Sequence, residues 1–485
     1  MSDEAVIGLE IHAQLLTASK MFCGCSTAFG APPNTHVCPV CLGFPGTLPV
    51  LNRTAVDFGI RAALALGCHP NPTSIFARKN YFYPDLPKGY QISQYESPLA
   101  VGGLVKAGAD YWGPDRDIRI TRVHLEEDAG KLLHEGFPDS GRRSYVDLNR
   151  AGTPLIEIVT EPDLRQAKEA ASFFGYLREL LMAIEVNDGN MEEGSLRCDA
   201  NVSIRPSSSE SLGVKVEIKN LNSFRFLEKA LEYEIERQTE RRRGGEPILQ
   251  ETRLWDSDGG TTVAMRSKEH AHDYRYFPEP DLPPLVLDVA RVQAIRATMP
   301  EAPAEKRRRY QMAYGLAPLD VVNLTLQPGL DAYFEEVVRH SANPKEAKNW
   351  VLGAVRAKIN EEHFGVAQMT SAVSPARLAA LLALVDNGTI SGAMAKGVFE
   401  TMCQSGRSAD EIVRDEGLSQ IDDDSLIAGH IHAVLAQNGD AVAQYRAGKT
   451  ATFGFLVGQV MKATAGKANP KRVNDLLRKM LEADS

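Results

Sequence analysis

Four of the seven cysteines lie within one short window, as two close pairs separated by twelve residues. The pairs are Cys23 with Cys25 and Cys38 with Cys41. Two close pairs on two loops place four thiolates at the corners of a tetrahedron, which Zn²⁺ prefers in closed structural sites. The alternatives are two disulfides or unrelated buried thiols. We favour a structural zinc ion that braces the loop.

A second set of chemically capable side chains follows strands of alternating polarity. Apolar and polar residues alternate in the segment 7–14, which predicts a strand with one buried and one polar face. The same alternation recurs near residue 123, in 197–205 and in 214–219. The polar faces carry an unusual set of residues: Glu10, His12, His124, Glu126, Asp199, Asn201 and Glu217, joined by Glu157.

Carboxylates that converge on one sheet repel each other unless a cation lies among them. Oxygen ligands with one or two imidazoles suit Mg²⁺ or Mn²⁺. Such an ion would carry nucleotide phosphates and offset charge in phosphoryl transfer. The pattern alone leaves open the alternative that this sheet face is only solvated.

The segment 78–90 mixes aromatic residues, cations and turn formers in the run Arg-Lys-Asn-Tyr-Phe-Tyr-Pro-Asp-Leu-Pro-Lys-Gly-Tyr. Such a loop would hold an anionic or nucleotide-like ligand by charge and stacking. A well-packed, tyrosine-rich turn explains the same composition equally well.

Residues 443–450 fit a loosened P-loop pattern in which Ala443 replaces the first glycine and Lys449 takes the lysine position. A working P-loop follows a buried strand and opens a helix, whereas this segment follows a helix-like stretch. We therefore expect a glycine-capped helix end here. The chain also lacks a GxSxG nucleophile motif and a Gly/Ser-rich amidase signature.

The totals set broad limits on the class of protein. A length of 485 residues predicts two to four domains. The net charge of −9 means that any nucleic-acid contact must come from a local basic patch. Scattered cysteines in odd number indicate a reducing cytosol. We expect no membrane segment and no signal peptide, since no apolar run approaches the roughly 20 residues that span a bilayer.

Strand patterns dominate up to about residue 290, with helices predicted at 167–184 and from Ser223 toward Arg243. The segment 279–284 indicates a linker that leaves the sheet domain. Beyond it, helices are predicted around 301–314, 329–340, 344–360 and 375–386, and a small helical module follows Gly406. Asn469 and Pro470 begin its last helix, 470–482. The sequence thus predicts an α+β fold, with a mainly antiparallel sheet followed by all-α regions.

Long motifs, in order along nearly the whole chain, resemble those of a known family. The family that they resemble is that of the B subunits of bacterial aspartyl/glutamyl-tRNA amidotransferases, the GatB family of the GatB/GatE superfamily. The related archaeal protein carries an inserted domain for which this chain has no room. The motifs lie at Gly8–Leu15, Cys23–Cys41, Arg78–Gln94, His124–Lys131, Asp147–Glu157, Glu193–Ser203, Glu217–Ser223 and Phe455–Lys462.

The resemblance implies three domains. A cradle domain with the zinc loop would cover 1–293 and carry the kinase and transamidase activities. A helical domain would cover 294–405, and a YqeY-like, tRNA-binding tail domain would cover 406–485.

The resemblance also implies an ATP-dependent carbon–nitrogen ligase that uses glutamine as amido donor. The side-chain carboxylate of misacylated Glu-tRNA(Gln) or Asp-tRNA(Asn) would be phosphorylated and then amidated, giving Gln-tRNA(Gln) or Asn-tRNA(Asn). The amidase (A) subunit would supply ammonia from glutamine. The small (C) subunit would join the two larger ones in a heterotrimer of the bacterial cytoplasm.

Because ATP and the acceptor carboxylate are both anionic, a cation must lie between them, and the resemblance with the polar faces assigns candidate roles. The expected Mg²⁺ (or Mn²⁺) ligands are Glu10, His12, Glu126, Glu157 and Glu217. The expected catalytic residues are Glu10, His12, Glu126, Lys79 and Lys88. The expected ATP- or substrate-binding residues are Tyr81, Arg197, Asp199, Asn201 and Asn220. The expected contacts to the tRNA backbone are Lys449, Lys462, Lys467, Lys471 and Arg472.

Two other classes of protein stay open on the sequence. One is a non-catalytic RNA-binding scaffold whose acidic face is only structural, which predicts that Glu10→Ala leaves amidation intact. The other is a P-loop NTPase, which predicts that Lys449→Ala abolishes ATP turnover. Which misacylated tRNA is the physiological substrate depends on the synthetases of the organism.

Overall fold

The structure is a computed structural model that describes residues 3–106, 117–265, 274–418, 423–464 and 467–483. The chain divides into two compact units, Met1–Lys306 and Arg307–Ser485. The strands named among the described residues all belong to the first unit. They are β1 (Asp3–Gln14), β2 (His69–Pro70), β3 (Thr73–Ser74), β4 (Ala77–Asn80), β5 (Tyr90–Ser93), β6 (Ala100–Val105), β7 (Ile118–Glu127), β8 (Lys131–Leu133), β9 (Tyr145–Asp147), β10 (Pro154–Thr160), β11 (Leu196–Pro206), β12 (Val216–Lys219), β13 (Thr252–Asp256), β14 (Thr261–Ala264), β15 (Phe277–Pro278) and β16 (Leu285–Val286).

Among the described residues, nine strands form one large sheet in the order β14-β13-β12-β11-β1-β10-β7-β6-β2. The pairs are antiparallel except for β12–β13, which is parallel. The central strand, β1, forms because Ile7, Leu9 and Ile11 alternate with polar residues and are buried in the core. The predicted α+β class is confirmed, and the sheet is mixed rather than purely antiparallel.

In the described part of the chain, the helices α1 (Arg53–Ala65), α2 (Ala167–Ala183) and α3 (Phe224–Arg243) contribute buried residues to the hydrophobic core of the sheet. The predicted helices at 167–184 and after Ser223 are confirmed. The Oγ atom of Ser223 caps α3 by accepting a 3.0 Å hydrogen bond from the Phe226 backbone N–H. Because the core uses the odd-numbered residues of β1, its even-numbered residues lie on the opposite face of the sheet.

After the large sheet, the chain returns to two small sheets of the same unit. β15 pairs with β4, and β16 pairs with β3. Glu279 is buried, and its carboxylate accepts two 2.7 Å hydrogen bonds from the guanidinium group of Arg78. The next helix, α4 (Val289–Ala297), packs against α1. The interpretation of 279–284 as a linker that leaves the sheet is therefore wrong, because this segment is bonded into the first unit.

The second unit is helical in its described residues, and the first of its helices begins before the unit boundary. The four helices predicted between 301 and 386 are confirmed within about three residues at each end. A π-helical turn, Val351–Val355, joins two of the helices. The helices are α5 (Pro303–Tyr314), α6 (Pro318–Thr325), α7 (Leu330–Ser341), α8 (Pro344–Trp350), α9 (Arg356–Glu361), α10 (Val366–Ala372), α11 (Pro375–Asp386), α12 (Gly392–Ser405), α13 (Ala409–Asp415), α14 (Asp424–Gln437), α15 (Gly439–Arg446), α16 (Ala451–Ala463) and α17 (Pro470–Ala483).

The second unit contains two separate hydrophobic cores, one within 310–413 and one within 427–481. The compact units divide after Lys306, so the domain boundaries after residues 293 and 405 stay predictions. In the described part of the chain, no single helix has the length and apolar composition to cross a membrane. Among the described helices, the pair α10 and α11 taken together meets this test by length and composition, with a bend of 60° between them.

The end of the chain confirms one local prediction and overturns an alternative. Asn469 caps α17, because its side-chain oxygen accepts a 3.0 Å hydrogen bond from the Lys471 backbone N–H. Ala443 lies inside α15, and Gly448 adopts a positive φ of 95° in the short connection to α16. A P-loop needs a buried strand before it. The P-loop alternative is therefore wrong, and the segment is the expected helix end.

Candidate active site

A row of polar side chains crosses three neighbouring strands of the large sheet. His12 of β1 lies opposite Glu157 of β10, and Glu157 lies opposite His124 of β7. The residues next to them along the strands, such as Ile11 and Ile158, point into the core. The two-residue period of each strand therefore sends one imidazole, one carboxylate and another imidazole to the same face.

This row meets Glu126 in what we call the acidic cluster, formed by His12, His124, Glu126 and Glu157. Oε2 of Glu157 lies 3.3 Å from His12 Nε2 and 3.2 Å from His124 Nε2. The carboxylate oxygens of Glu126 lie 3.9 Å and 3.6 Å from the same two nitrogens, and Ser93 Oγ donates a 3.0 Å hydrogen bond to Glu126. Ligand atoms of His12, Glu126 and Glu157 all lie within 4.8 Å of one another, which fits a divalent cation.

Attraction between the members of the acidic cluster outweighs the effect of burial on their charges. Burial alone would raise the pKa of Glu157, but His124 and His12 hold it well below its usual value. Burial would lower the pKa of His124, but Glu157 and Glu126 raise it to about 9. The pKa of Glu126 is lowered and that of His12 is raised for the same reasons. The two imidazoles and the two carboxylates therefore stabilise each other's charges.

Lys79 of β4 lies near the carboxylates of the acidic cluster and close to the rings of two tyrosines. Its Nζ atom lies 5.0 Å from the ring centroid of Tyr274 and 5.9 Å from that of Tyr81. Burial would lower the pKa of Lys79, but Tyr276 and the two carboxylates of the acidic cluster raise it. The ammonium of Lys79 therefore lies near the two carboxylates, and its role in neutralising phosphate oxygens stays a prediction.

The same sheet face carries a second charged group around Lys219. Lys219 Nζ donates a 2.8 Å hydrogen bond to Asp199 and lies 3.6 Å from Glu217 Oε1. Glu10 lies opposite Asp199, and its Oε1 atom accepts a 2.9 Å hydrogen bond from the amide of Asn201. Among the described residues, no donor forms a hydrogen bond to the buried Oδ1 atom of Asn201. The five expected metal ligands are thus divided, because Glu10 and Glu217 belong to this second group.

Arg197 lies at the border of the acidic cluster, opposite His12 on β11. Its guanidinium donates a 2.9 Å hydrogen bond to Asp128, which also accepts a 2.7 Å bond from the Gln14 amide. Burial would lower the pKa of Arg197, but Asp128 raises it. In the part of the chain that the structure describes, the buried Nε atom of Arg197 has no hydrogen-bond acceptor. A donor therefore remains there for an anionic group.

The four cysteines of the predicted zinc loop, here called the cysteine cluster, come together in space. Their Sγ atoms lie within 4.8 Å of one another, and Cys41 Sγ accepts a 3.2 Å hydrogen bond from the Cys38 backbone N–H. All seven cysteines belong to the described residues, and none of them forms a disulfide. The disulfide alternative is thus not what the structure has. Four sulfurs and an N–H···S bond suit a tetrahedral Zn²⁺ site.

Two of the expected site residues have their contacts elsewhere. The ammonium of Lys88 binds Glu127, whose side chain points to the opposite side of β7 from Glu126. Asn220 has a positive φ of 67°, and its amide donates a 3.0 Å hydrogen bond to the carbonyl of Trp255. The structure therefore does not bring Lys88 or Asn220 to the acidic cluster, and Asn220 instead turns the chain after β12.

The expected tRNA contacts lie on or beside the last three helices of the second unit. Lys467 donates a 2.7 Å hydrogen bond to the Gly417 carbonyl, and Arg472 pairs with Asp424 at 2.7 Å. The other members of the set are exposed. The set is Lys449, Lys462, Lys467, Lys471 and Arg472.

Several residues of the acidic cluster and of the second charged group, or in contact with them, had no role predicted from the sequence. His124 and Lys219 stand in the alternating pattern, so their position on the polar face was visible, but their partners were not. Ser93 and Asp128 gave no signal, because their contacts depend on how β5 and the end of β7 lie against other strands. Strand register is a tertiary property that spacing along one strand does not contain.

Two family models match the chain. The model described as the GatB/GatE catalytic domain matches residues 5–293, and the model described as the GatB domain matches residues 332–481. The first match contains both the acidic cluster and the cysteine cluster. The class of protein is therefore that of the GatB/GatE catalytic domain.

Similar proteins extend this result to the full length. The relative from Thermodesulfovibrio yellowstonii is 54% identical over 482 residues, which cover 99% of this chain and 100% of the relative. Relatives from Anaeromyxobacter dehalogenans and Moorella thermoacetica are 54% and 53% identical, over 99% of this chain and 98% and 100% of their own lengths. All three are named as the B subunit of aspartyl/glutamyl-tRNA(Asn/Gln) amidotransferase. This chain belongs to that family of B subunits.

Proposed function

We propose that this chain is the B subunit of a tRNA-dependent amidotransferase. It activates and then amidates the side-chain carboxylate of misacylated Glu-tRNA(Gln), Asp-tRNA(Asn) or both. The observation that carries the proposal is the acidic cluster, since ATP-dependent activation of a carboxylate needs a cation held by such ligands.

The reaction balances in two steps. A carboxylate oxygen of the aminoacyl group attacks the γ-phosphorus of ATP, the bond to the β–γ bridging oxygen breaks, and ADP leaves. Ammonia then attacks the carbonyl carbon of the acyl phosphate, loses a proton, and expels inorganic phosphate. Phosphorylation is needed because a carboxylate oxygen is a poor leaving group, whereas phosphate is a good one.

The side chains on the sheet face support both steps. Mg²⁺ (or Mn²⁺) held by His12, Glu126 and Glu157 would neutralise phosphate oxygens. Lys79 and the unpartnered Nε of Arg197 flank the same place, and they stabilise anionic oxygens of ATP and of the acceptor. These two cations are held in position before the substrates arrive, so little reorganisation is needed during the reaction.

The second charged group suits a neighbouring part of the nucleotide. Asn201 has an unused amide oxygen, and Glu10 lies beside it on the same face. Donors and acceptors of this kind position the ribose or base of ATP, or the 3′-terminal adenosine of the tRNA. Tyr81 supplies an aromatic surface near Lys79 for the same purpose.

The finer architecture and the partners belong to the same proposal. Residues 1–293 form a cradle domain whose cysteine cluster binds structural Zn²⁺, 294–405 form a helical domain, and 406–485 form a tail domain that binds the tRNA backbone. The amidase (A) subunit makes ammonia from glutamine, and the small (C) subunit joins both in a cytoplasmic heterotrimer. This division of labour explains why an amidase signature is lacking in this chain.

The test is ATP-dependent amidation of Glu-tRNA(Gln) by this chain reconstituted with its amidase and small partner subunits, with ammonium as the nitrogen source. Wild type should form Gln-tRNA(Gln), whereas Glu10→Ala should not, although it should still bind tRNA. The matched control is Glu4→Ala, because Glu4 lies on the same face of β1 but pairs with Arg205 at 2.8 Å. This control should amidate normally.

Equal product from wild type and Glu10→Ala would exclude a role of the second charged group in amidation. Equal product from Glu157→Gln as well would contradict the proposal, and the chain would then be the RNA-binding scaffold with a structural acidic face. The same assay with Asp-tRNA(Asn) decides which misacylated tRNA is accepted.

A further inference from the structure

Lys20 is a lysine with no solvent exposure that touches the cysteine cluster. Its Nζ atom donates hydrogen bonds of 2.7 Å to the His36 carbonyl and 3.2 Å to the Leu148 carbonyl. The third contact is to Cys41 Sγ at 3.6 Å. The three N–H groups of the ammonium therefore each have an acceptor, two of them neutral carbonyls and one of them a cysteine sulfur.

The charge of this ammonium needs an anion nearby. Burial of an ammonium group is costly unless an opposite charge compensates it. Among the described residues, the partners of Lys20 Nζ are two carbonyls and one sulfur, and no carboxylate forms an ion pair with it. Four neutral thiols would leave the ammonium without an anionic partner in direct contact. Zn²⁺ bound by four thiolates carries a net charge of −2, which the ammonium partly offsets.

We propose that Lys20 is the buried counter-cation of a zinc–tetrathiolate site and a positioning residue for that site. This inference rests on the proposed zinc at the cysteine cluster. The lysine lowers the net negative charge of the metal site and donates to the Cys41 thiolate. Partners of this kind, outside the ligands themselves, hold metal ligands in place.

Lys20 also links the zinc loop to the segment that leads to the acidic cluster. Its bond to the Leu148 carbonyl is one of several between the loop and the segment 146–149. His36 N–H donates a 2.8 Å hydrogen bond to Asn149, and the Asn34 amide donates a 2.9 Å bond to the Val146 carbonyl. The next strand, β10, carries Glu157. Loss of the Lys20 contact should therefore loosen both the zinc and this segment.

The first test compares zinc release from Lys20→Met and Lys20→Gln with wild type, in excess chelator with a coloured zinc indicator. Both substitutions remove the charge, and release should be about 10- to 100-fold faster. The control is Lys131→Met, because Lys131 lies 5.3 Å from the Phe29 ring of the same loop and contacts none of the cysteines. Release from the control should match wild type. A wild-type release rate in folded Lys20 variants would overturn the inference.

The second test needs no substitution, so it holds even if Lys20 variants do not fold. Wild-type protein is acetylated with a small reagent before and after zinc removal, and peptides are read by mass spectrometry. Lys20 should be protected with zinc and modified without it, whereas Lys131 should react in both states. Equal modification of Lys20 in both states would overturn the inference while leaving the zinc site in place. Wild-type protein that holds no zinc would overturn both the zinc site and the role of Lys20. Neither result would decide the proposed function, which the amidation assay tests separately.

Discussion

The acidic cluster and the cysteine cluster are two candidate metal sites in one compact unit, and they are built in opposite ways. The cysteine cluster takes its ligands from one stretch of loop, Cys23 to Cys41. The acidic cluster takes its candidate ligands from β1, β7 and β10, and more than a hundred residues of the chain separate β1 from β7. A local site can be read from spacing, whereas a site on a sheet requires the register.

The charges that surround the two sites also differ. In the acidic cluster, the imidazoles of His12 and His124 lower the pKa values of the two carboxylates. At the cysteine cluster, the buried ammonium of Lys20 lies 3.6 Å from Cys41 Sγ. The positive charge is thus part of the first cluster, whereas in the second it lies on a side chain beside the candidate ligands.

The largest expected effect is on the acidic cluster. Glu157→Gln removes the carboxylate that lies between the two imidazoles, so ATP-dependent amidation should fall by at least about 100-fold. Glu161→Gln is the matched control at the end of the same strand, because Glu161 binds Thr121 and not the cluster. Near-normal amidation by Glu157→Gln would show that the acidic cluster is not the catalytic centre.

The next largest effect distinguishes Lys79 from Lys88, which were both predicted from the sequence to be catalytic. Lys79→Met removes the cation that faces the carboxylates, so kcat for amidation should fall by roughly 10- to 100-fold. Lys88→Met should change ATP-dependent phosphorylation less, because Lys88 binds Glu127 on the opposite side of β7. The measurement is ADP formation in the presence of misacylated tRNA. A larger loss from Lys88→Met would reverse this assignment.

A smaller effect, on zinc content and stability, is expected at the cysteine cluster. Cys41→Ser should lower the zinc content to near zero and the melting temperature by a few degrees, because a bound metal stabilises the folded loop. Cys68→Ser is the control, since Cys68 is a buried thiol outside the cluster. Unchanged zinc content in Cys41→Ser, measured by atomic emission, would exclude Cys41 as a ligand.

The smallest effect is expected for the exposed lysines of the second unit. Lys462→Ala and Lys471→Ala should each weaken tRNA binding a few-fold and reduce the slope of log K against log salt by about 1. Amidation at saturating tRNA should not change, since both residues lie far along the chain from the acidic cluster. A normal salt slope in the double variant would mean that these lysines are only solvated.

The sequence predicted elements well and their combinations less well. The strands through His12 and Asn201 and the helices after Gln166 and Ser223 follow from residue period and capping, which are local. The sequence predicted that His12, Glu126 and Glu157 converge only if their strands pair within one sheet. The placement of Lys88 and Asn220 was not predictable, because it depends on which side of β7 and β12 each loop approaches.

The 279–284 segment shows how a local signal can mislead. Three prolines in it predicted a linker, yet the carboxylate of Glu279 is bound to Arg78 from a strand made about 200 residues earlier. Proline content reports backbone stiffness and missing N–H donors, and both properties suit the ends of short edge strands as well as linkers.

The central position of β1 affects how the chain folds during synthesis. The ribosome makes β1 before the other strands of the sheet, but its neighbours in the sheet are Pro154–Thr160 and Leu196–Pro206. At typical elongation rates, roughly 10–40 seconds pass before the second neighbour exists. Until then the apolar residues of β1 have no sheet to cover them, so the nascent chain exposes an aggregation-prone strand. The polar face that carries the acidic cluster therefore assembles only after β10 and β11 have been made.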